Sequence, residues 1–197
     1  LRPEEADVCI HGIEQEVALL DRLVGDLVET ARIESEANSV RPNTFMLLNW
    51  ASETLRRLES KVRSCQIDWT TKLPEQDREI SGDPQRLAQA VGNLVDNAIN
   101  ALEGRSDPRI EVSIVMDEDR WSLDVDDNGR GIPEDELPHV FRRFYRVERH
   151  RGREQGGVGL GLSLVRAIAE AHGGEASIES QAEKGTKVTI TIPFKRN

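Results

Sequence analysis

The apolar positions of the first forty residues follow one uninterrupted helical pattern. From Arg2 to about Asn38 they recur at spacings of three and four, which predicts a single long helix. The seam spans about three heptads, and Leu19, Leu23 and Val28 widen it toward the face of a helix bundle. An amphipathic helix packed on its own domain is the alternative interpretation. Residues 38–42 then interrupt the pattern and are typical of a linker.

The next segments alternate between helical and strand periodicity. The pair Asn43-Thr44 suits an N-cap, and an apolar face running from Phe45 to Val62 predicts the helix that follows it. β-forming residues alternate over 66–73 and predict a strand, with a short partner strand at 79–82. The pair Asp83-Pro84 then predicts the start of another helix, because aspartate caps a helix and proline suits its first turn.

The second half of the chain predicts four strands and one further helix. The strands are expected at 109–116, 121–126, 175–180 and 186–194. The helix is expected to follow the glycine-rich turn, with an apolar pattern from Leu160 to Ala169, and to end at the pair Gly173-Gly174, which suits a left-handed cap. The charged segment 133–155 has little periodicity and is typical of a lid or of a disordered segment.

Composition narrows the class of protein. The 197 residues carry a net charge of −10, which argues against general nucleic-acid binding. No apolar run approaches the length of a membrane helix, no signal peptide is visible, and the two cysteines lack metal-ligand spacing. We therefore expect a soluble, cytoplasmic protein without direct membrane contact. Because the chain begins with a leucine and not with a methionine, we expect it to be part of a longer protein.

A glycine-rich turn opens the last predicted helix. Gly157, Gly159 and Gly161 alternate immediately before its apolar stripe. Glycines allow close backbone approach, and a helix N-terminus presents free N–H groups to an anion, so the turn predicts a phosphate site. The lysine of a P-loop is missing, and a turn used only for packing is the alternative.

Two other patterns suit the remaining parts of a nucleotide. Arg86, Gln89, Asn93, Asn97 and Asn100 form one polar stripe along the third predicted helix. Asparagine is a mediocre helix former, and its amide oxygen suits Mg²⁺, although a solvated helix face is the alternative.

The second pattern is the sequence DNGRGIP, in which Asp127 ends a predicted strand and is followed by Gly129 and Gly131. A carboxylate accepts hydrogen bonds and suits an exocyclic amine such as that of adenine. The glycines would let a ligand ring lie against the backbone. A plain turn is the alternative.

Taken together, these segments resemble a known family. The sequences NLVDNAIN, DDNGRGIP, FRRFYRV and GGVGLGL resemble, in that order, the N, G1, F and G2 boxes of sensor histidine kinases. The resemblance covers about Asn38 to Phe194. In addition, DRLVGDLVETARIES is similar to the second helix of the family's dimerisation bundle.

The resemblance implies an α/β two-layer sandwich, the Bergerat fold, with helices on one face of a mixed sheet and a long helix before it. It implies a partial dimerisation helix over 1–40 and an ATP-binding catalytic domain over 41–197. The implied activity is transfer of the ATP γ-phosphate to a histidine in two-component signalling, with Mg²⁺ as cofactor. The implied partners are a response regulator and, in the full-length protein, a second copy through the helical bundle.

The family's functional residues carry over by position. Asn97 and Asn93 match Mg²⁺ ligands, and Asn93 and Arg146 match catalytic positions. The remaining nucleotide-binding matches are Asp127, Gly129, Gly131, Gly157, Gly159, Gly161 and Thr186, and Leu160 lies within the same glycine turn. Arg143 is a further nucleotide-binding candidate, because a cationic lid would neutralise phosphate charge, and solvated lid arginines are the alternative. Phe141 and Phe144 match aromatic residues that pack the lid down. Asn100 and Val158 depart from the pattern, since a basic and a small hydroxyl residue are common there.

Other outputs of the same fold are the alternatives. These are an anti-sigma serine kinase, an ATP-gated clamp and an interaction module with a vestigial pocket. Clamps usually carry a glutamate where Asn93 stands. None of the four histidines has the family's acceptor context, so we expect this chain alone to bind ATP without phosphorylating itself.

Overall fold

The computed structural model describes residues 41–147 and 159–194. The predicted long helix, the domain boundary near residue 40, and the residues Gly157 and Val158 lie outside these ranges. The predictions made for them therefore stay open. None of the described helices is long and apolar enough to cross a membrane.

The described chain contains seven strands and three α-helices. The strands are β1 (Asn43–Met46), β2 (Asp68–Lys72), β3 (Glu79–Gly82), β4 (Arg109–Met116), β5 (Arg120–Asp127), β6 (Glu175–Gln181) and β7 (Gly185–Pro193). The helices are α1 (Leu47–Ser64), α2 (Pro84–Ala101) and α3 (Gly161–Ala171), with a 3₁₀ turn at Leu137–His139.

Five of the strands form one mixed sheet in the order β2-β4-β5-β7-β6. The β2–β4 pair is parallel, and the other three pairs are antiparallel. The predicted strand at 79–82 is confirmed, but its partner is β1, with which it forms a separate two-stranded antiparallel sheet. The expected pairing of β3 with the strand over 66–73 was therefore wrong.

The helices cover one face of the mixed sheet, which confirms the predicted two-layer sandwich. Alternating side chains of β4, β5 and β7 fill the core between the layers: Ile110, Val112, Ile114, Trp121, Leu123, Val125, Val188, Ile190 and Ile192. The opposite face carries polar side chains such as Ser113, Asp124 and Thr189. This period of two follows from the alternation of side chains across a pleated strand.

The start of α1 differs from the prediction. Asn43 and Thr44 do not cap the helix, because they pair with Gly82 and Ser81 in the small sheet. The cap comes instead from Asp77, whose Oδ1 accepts from the Leu48 N–H at 2.8 Å. A carboxylate at a helix N-terminus satisfies a free donor and suits the dipole. The cap is 29 residues away in sequence, so a local pattern could not reveal it.

The start of α2 matches the prediction. The Asp83 carboxylate accepts from the N–H groups of Gln85 and Arg86, and Pro84 occupies the first turn. His172, which ends α3, accepts the Asp83 N–H through Nε2 at 2.9 Å. Its Nδ1 lies 2.7 Å from the Ile168 carbonyl, so that nitrogen carries the proton. The end of α3 is thereby tied to the beginning of α2.

Candidate functional site

The first part of the site lies at the end of β5. Asp127 is the last residue of this strand, between Ile110 of β4 and Thr186 of β7. Its carboxylate is 7% exposed, and its Oδ1 accepts from the Gly129 N–H at 2.8 Å. The strand order thus places an acceptor at one end of the sheet, next to the turn predicted to approach a base.

Burial controls the ionisation of this carboxylate. Loss of solvent raises the pKa of Asp127 to about 6, and the charge of Asp126 acts in the same direction. The backbone N–H groups of Gly129 and Thr186 and the charge of Arg130 oppose the shift. A buried carboxylate costs free energy unless it is hydrogen-bonded, so a ligand amine at this position would find a strong acceptor.

Thr186 lies opposite Asp127 on the neighbouring strand β7, and the hydrogen-bond partner of its hydroxyl is Ser180. Its Oγ1 lies 2.8 Å from Ser180 Oγ, and Ser180 donates to the Gly185 carbonyl at 2.8 Å. A serine hydroxyl has one proton, so Thr186 donates to Ser180 and keeps its lone pairs for other partners. Ser180 also accepts from the Ile132 N–H at 2.8 Å.

Two glycines of the turn are required by space. A Cβ on Gly129 would lie 2.6 Å from Asp127 Oδ1 and 2.7 Å from the Ala101 carbonyl oxygen. Gly131 has a φ of +63°, and a Cβ there would overlap the Gln181 carbonyl. The turn is therefore wedged between the end of α2 and the β6–β7 hairpin, as a close backbone approach requires.

Two residues that sequence reasoning did not single out fix this turn. Asn128 accepts from the Arg109 N–H at 2.8 Å and donates to the Asp107 carbonyl at 2.7 Å. Arg105 donates to the Gly129 carbonyl at 2.6 Å and to the Glu183 carbonyl at 2.8 Å. Both act on distant backbone, so no local spacing signalled them.

The second part of the site is the beginning of α3. Leu160 stands at the N-cap position, and its side chain makes no capping hydrogen bond. Within residues 41–147 and 159–194, no side chain accepts from the first-turn N–H groups, in contrast to α2, where Asp83 does. Such groups, together with the helix dipole, suit a phosphate.

The same helix start lies against the asparagines of α2. A Cβ built on Gly161 would stand 3.3 Å from Asn93 Oδ1 and 3.4 Å from both amide atoms of Asn97. Asn93 donates through Nδ2 to the Gln89 carbonyl at 2.9 Å, which leaves its Oδ1 available as an acceptor. Asn93 is half-buried and Asn97 exposed.

These amide oxygens fit a hard divalent cation. The described residues hold no cluster of three or more His, Cys, Asp or Glu suited to a metal. Mg²⁺, however, keeps several waters and shares phosphate oxygens, so it needs few protein ligands. The oxygen of Asn93 beside a helix N-terminus is consistent with a metal shared with phosphate.

The lid residues are described only in part. Arg143 is exposed and Arg146 half-buried on the segment before residue 148. Gly159 has a φ of +83° and its carbonyl accepts the Phe144 N–H at 3.0 Å, which joins this segment to the glycine turn. Phe144 was expected to pack the lid down, but it is 51% exposed and has a φ of +62°.

Comparisons with known proteins agree with this geometry. Residues 82–196 match the family described as histidine kinase-, DNA gyrase B- and HSP90-like ATPases. The chain is 29% identical over 182 residues to the sensor histidine kinase WalK of Bacillus subtilis, covering 92% of this chain and 30% of WalK. It is 34% identical over 189 residues to the sensor histidine kinase YkoH of the same organism, covering 96% of this chain and 40% of YkoH.

Solved structures give the same result. The catalytic domain of the histidine kinase ThkA aligns with a TM-score of 0.67 and 27% identity, covering 79% of this chain and 99% of that domain. The mycobacterial sensor histidine kinase MprB aligns with a TM-score of 0.65 and 27% identity, covering 79% and 100% respectively. The chain spans about a third of the length of the curated relatives it matches.

The matched region includes α2 with its asparagines, the turn after Asp127, the start of α3 and the last two strands. It covers more than half of the chain and every described residue of the two site parts. The protein belongs to the family of histidine kinase-, DNA gyrase B- and HSP90-like ATPases.

Proposed function

We propose that this chain is the ATP-binding catalytic part of a sensor histidine kinase, which transfers the γ-phosphate of ATP to a histidine on a dimerisation helix. The main support is the arrangement along α2. The middle of this helix carries Asn93 and Asn97 beside the start of α3, and its end contacts the turn that follows Asp127. One rigid element thus relates a base-binding end to a phosphate-binding end.

In this proposal each residue has a separate task. The Asp127 carboxylate accepts from the adenine amine, Thr186 offers a second acceptor, and Gly129 and Gly131 leave room for the ring. The N–H groups at the start of α3, beginning at Gly161, receive phosphate oxygens. Phosphoryl transfer depends mainly on such positioning and on charge neutralisation.

The remaining predicted residues belong to the phosphate end. Asn93 and Asn97 would hold Mg²⁺, which when bound neutralises phosphate charge. Gly159 and Leu160 directly precede α3, Gly157 keeps the role that the resemblance gives it, and Arg143 and Arg146 add positive charge from the lid. The carbonyl of Gly159 already joins the turn to Phe144.

The proposal also names the partners of the full-length protein. The proposal includes a response regulator that receives the phosphoryl group and a homodimer formed through the helical bundle of the full-length protein. An anti-sigma serine kinase or an ATP-gated clamp is the alternative output of the fold. Asn93 argues against a clamp, since an amide cannot take a proton from water as a glutamate can.

Binding and transfer are tested separately. Mg-ATP should raise the melting temperature of the chain, because a ligand of the native state stabilises it by about 2.7 kcal/mol at a hundredfold excess over Kd. Asp127→Asn should weaken ATP binding about tenfold to a hundredfold by calorimetry, since it replaces an acceptor with a possible donor. Unchanged affinity would refute the adenine contact.

Incubation with radiolabelled ATP should give no acid-labile label on this chain alone. A fragment carrying the upstream bundle helix of the parent protein should become labelled when it is added. Stable label on His11, His139, His150 or His172 would refute the assignment of the acceptor to another segment.

A further inference from the structure

Arg105 joins three segments around the base end of the site. It lies in the loop after α2, and its Nη2 donates both to the Gly129 carbonyl at 2.6 Å and to the Glu183 carbonyl at 2.8 Å. Gly129 belongs to the turn after Asp127, and Glu183 belongs to the β6–β7 hairpin. One guanidinium nitrogen thus connects the end of α2 with both loops.

The backbone completes the same connection. The Arg130 N–H donates to the Ala101 carbonyl at 3.1 Å, and the Glu183 N–H donates to the Arg130 carbonyl at 2.7 Å. The peptide groups of the turn therefore bridge α2 and the β6–β7 hairpin. Arg105 donates to the carbonyl of Gly129, the residue whose N–H donates to Asp127. Hydrogen bonds from a charged donor are stronger than those between neutral groups.

A contribution to the stability of the fold does not explain why an arginine stands at position 105. Its ion pair with Glu183 is 3.4 Å long, and the Glu183 side chain is 79% exposed, so the pair contributes little. In addition, Arg105 Nε is buried without a hydrogen-bond partner among the described residues. A buried donor without a partner lowers the stability of the fold. The arginine is therefore better explained by the two hydrogen bonds of its Nη2 than by its ion pair.

We propose that Arg105 is a positioning residue for base recognition: by holding the Gly129 carbonyl, it fixes the turn against Asp127 and so sets the preference for adenine. This inference rests on the proposed ATP-binding function. Arg105 need not touch the nucleotide. It acts through the Gly129 peptide, whose N–H donates to Asp127 Oδ1 and whose space no side chain can share.

The test is a set of calorimetric titrations with ATP and GTP, each with and without Mg²⁺. Arg105→Ala should lower ATP affinity roughly tenfold, as expected for the loss of charged hydrogen bonds, and GTP affinity much less. The preference for ATP over GTP should therefore fall. The ratio of ATP affinities with and without Mg²⁺ should stay at the wild-type value, because the metal end is built from α2 and α3.

Two further variants separate position from charge and from folding. Arg105→Lys keeps the charge but has a shorter side chain without the planar fork, so it should also lose most of the base preference. Glu183→Gln removes the ion pair and keeps the backbone carbonyl, so it should bind both nucleotides like the wild type.

The outcomes are distinguishable. Full ATP preference in Arg105→Lys or Arg105→Ala would overturn the positioning role. An equal loss of base preference and of the Mg²⁺ effect, with a large fall in melting temperature, would show a structural role and also overturn it. A wild-type chain that binds ATP and GTP equally, or an Asp127→Asn variant with unchanged affinity, would refute the adenine site itself.

Discussion

The two ends of the proposed nucleotide site differ in burial. At the base end the polar residues are buried, with Asp127 7% and Thr186 8% exposed. At the phosphate end, Asn97 is exposed and Asn93 is half-buried. The base end is held by the ends of the interior strands β5 and β7 and by a turn with hydrogen bonds on both sides. The phosphate end consists of side chains on one helix facing the start of another. A fixed, desolvated acceptor suits a neutral base, while accessible amide oxygens suit a hydrated cation.

This contrast has an energetic consequence. Substitutions at the base end should change both stability and affinity, because the same groups hold the fold and meet the ligand. Substitutions at the phosphate end should change affinity with little effect on the folded state. The three predictions below test that division, beginning with the largest expected effect.

Gly131→Ala should cause the largest loss. The residue has a φ of +63°, and its Cβ would overlap the Gln181 carbonyl, so both strain and a backbone clash are expected. We expect a loss of about 3 kcal/mol in the free energy of unfolding and a severe loss of ATP binding. Urea denaturation and calorimetry measure the two effects.

Gly92→Ala is the matched control for this prediction. It lies in α2, and a Cβ there would meet nothing within 4 Å. We expect a gain of about 0.5–1 kcal/mol, as is usual for glycine to alanine in a helix interior. A Gly131→Ala variant as stable as the wild type would show that the turn adapts, and the base end would then not be rigid.

The second prediction concerns pH and is specific to Asp127. Burial raises its pKa in the folded state to about 6, above the ordinary value of 3.8 for an aspartate. The contribution of Asp127 to stability is therefore fully present below about pH 3.8 and is lost as pH rises through about 6. The loss is about 3 kcal/mol at most. Chemical denaturation across this range should show a pH slope that Asp127→Asn lacks.

ATP affinity should depend on pH in the opposite direction. Below about pH 6 Asp127 becomes protonated and one oxygen becomes a donor, so ATP affinity should fall by up to about tenfold per pH unit. The phosphates of ATP titrate in a similar range, and Asp127→Asn in the same buffers corrects for this. Identical pH profiles for the two proteins would contradict a base contact through the carboxylate.

The two ends also differ in how well the sequence predicted them. Asp127, Gly129 and Gly131 are adjacent in sequence, so their common turn was visible, and the structure brings them together with Thr186. Asn93, Asn97 and Gly161 come together because two predicted helices pack on each other. Helical periodicity indicated the face of each helix, while the resemblance to histidine kinases supplied the pairing.

What the sequence did not predict depends on contacts between distant residues. The cap of α1 comes from Asp77, and the partner of β3 is β1. Arg105 donates to the Gly129 carbonyl and Ser180 accepts from the Ile132 N–H, at separations of 24 and 48 residues that no local pattern encodes. The prediction that Asn43 and Thr44 cap α1 was wrong, because residues that favour a helix cap also suit the end of a linker. Here strand pairing prevailed over capping.

The third prediction has the smallest effect on the fold and concerns Asn97. Asn97→Ala should remove the Mg²⁺-dependent part of ATP affinity, about tenfold or about 1.4 kcal/mol, while ATP binding without Mg²⁺ stays near the wild-type value. The free energy of unfolding should change by no more than about 0.5 kcal/mol, since the side chain is exposed and alanine favours a helix. Asn100→Ala is the control, because Asn100 is also exposed on α2, whereas the three atoms nearest a Cβ on Gly161 come from Asn93 and Asn97. It should keep the Mg²⁺ effect. If Asn97→Ala weakened ATP binding equally with and without Mg²⁺, Asn97 would be structural, and the two ends of the site would not differ in the way described above.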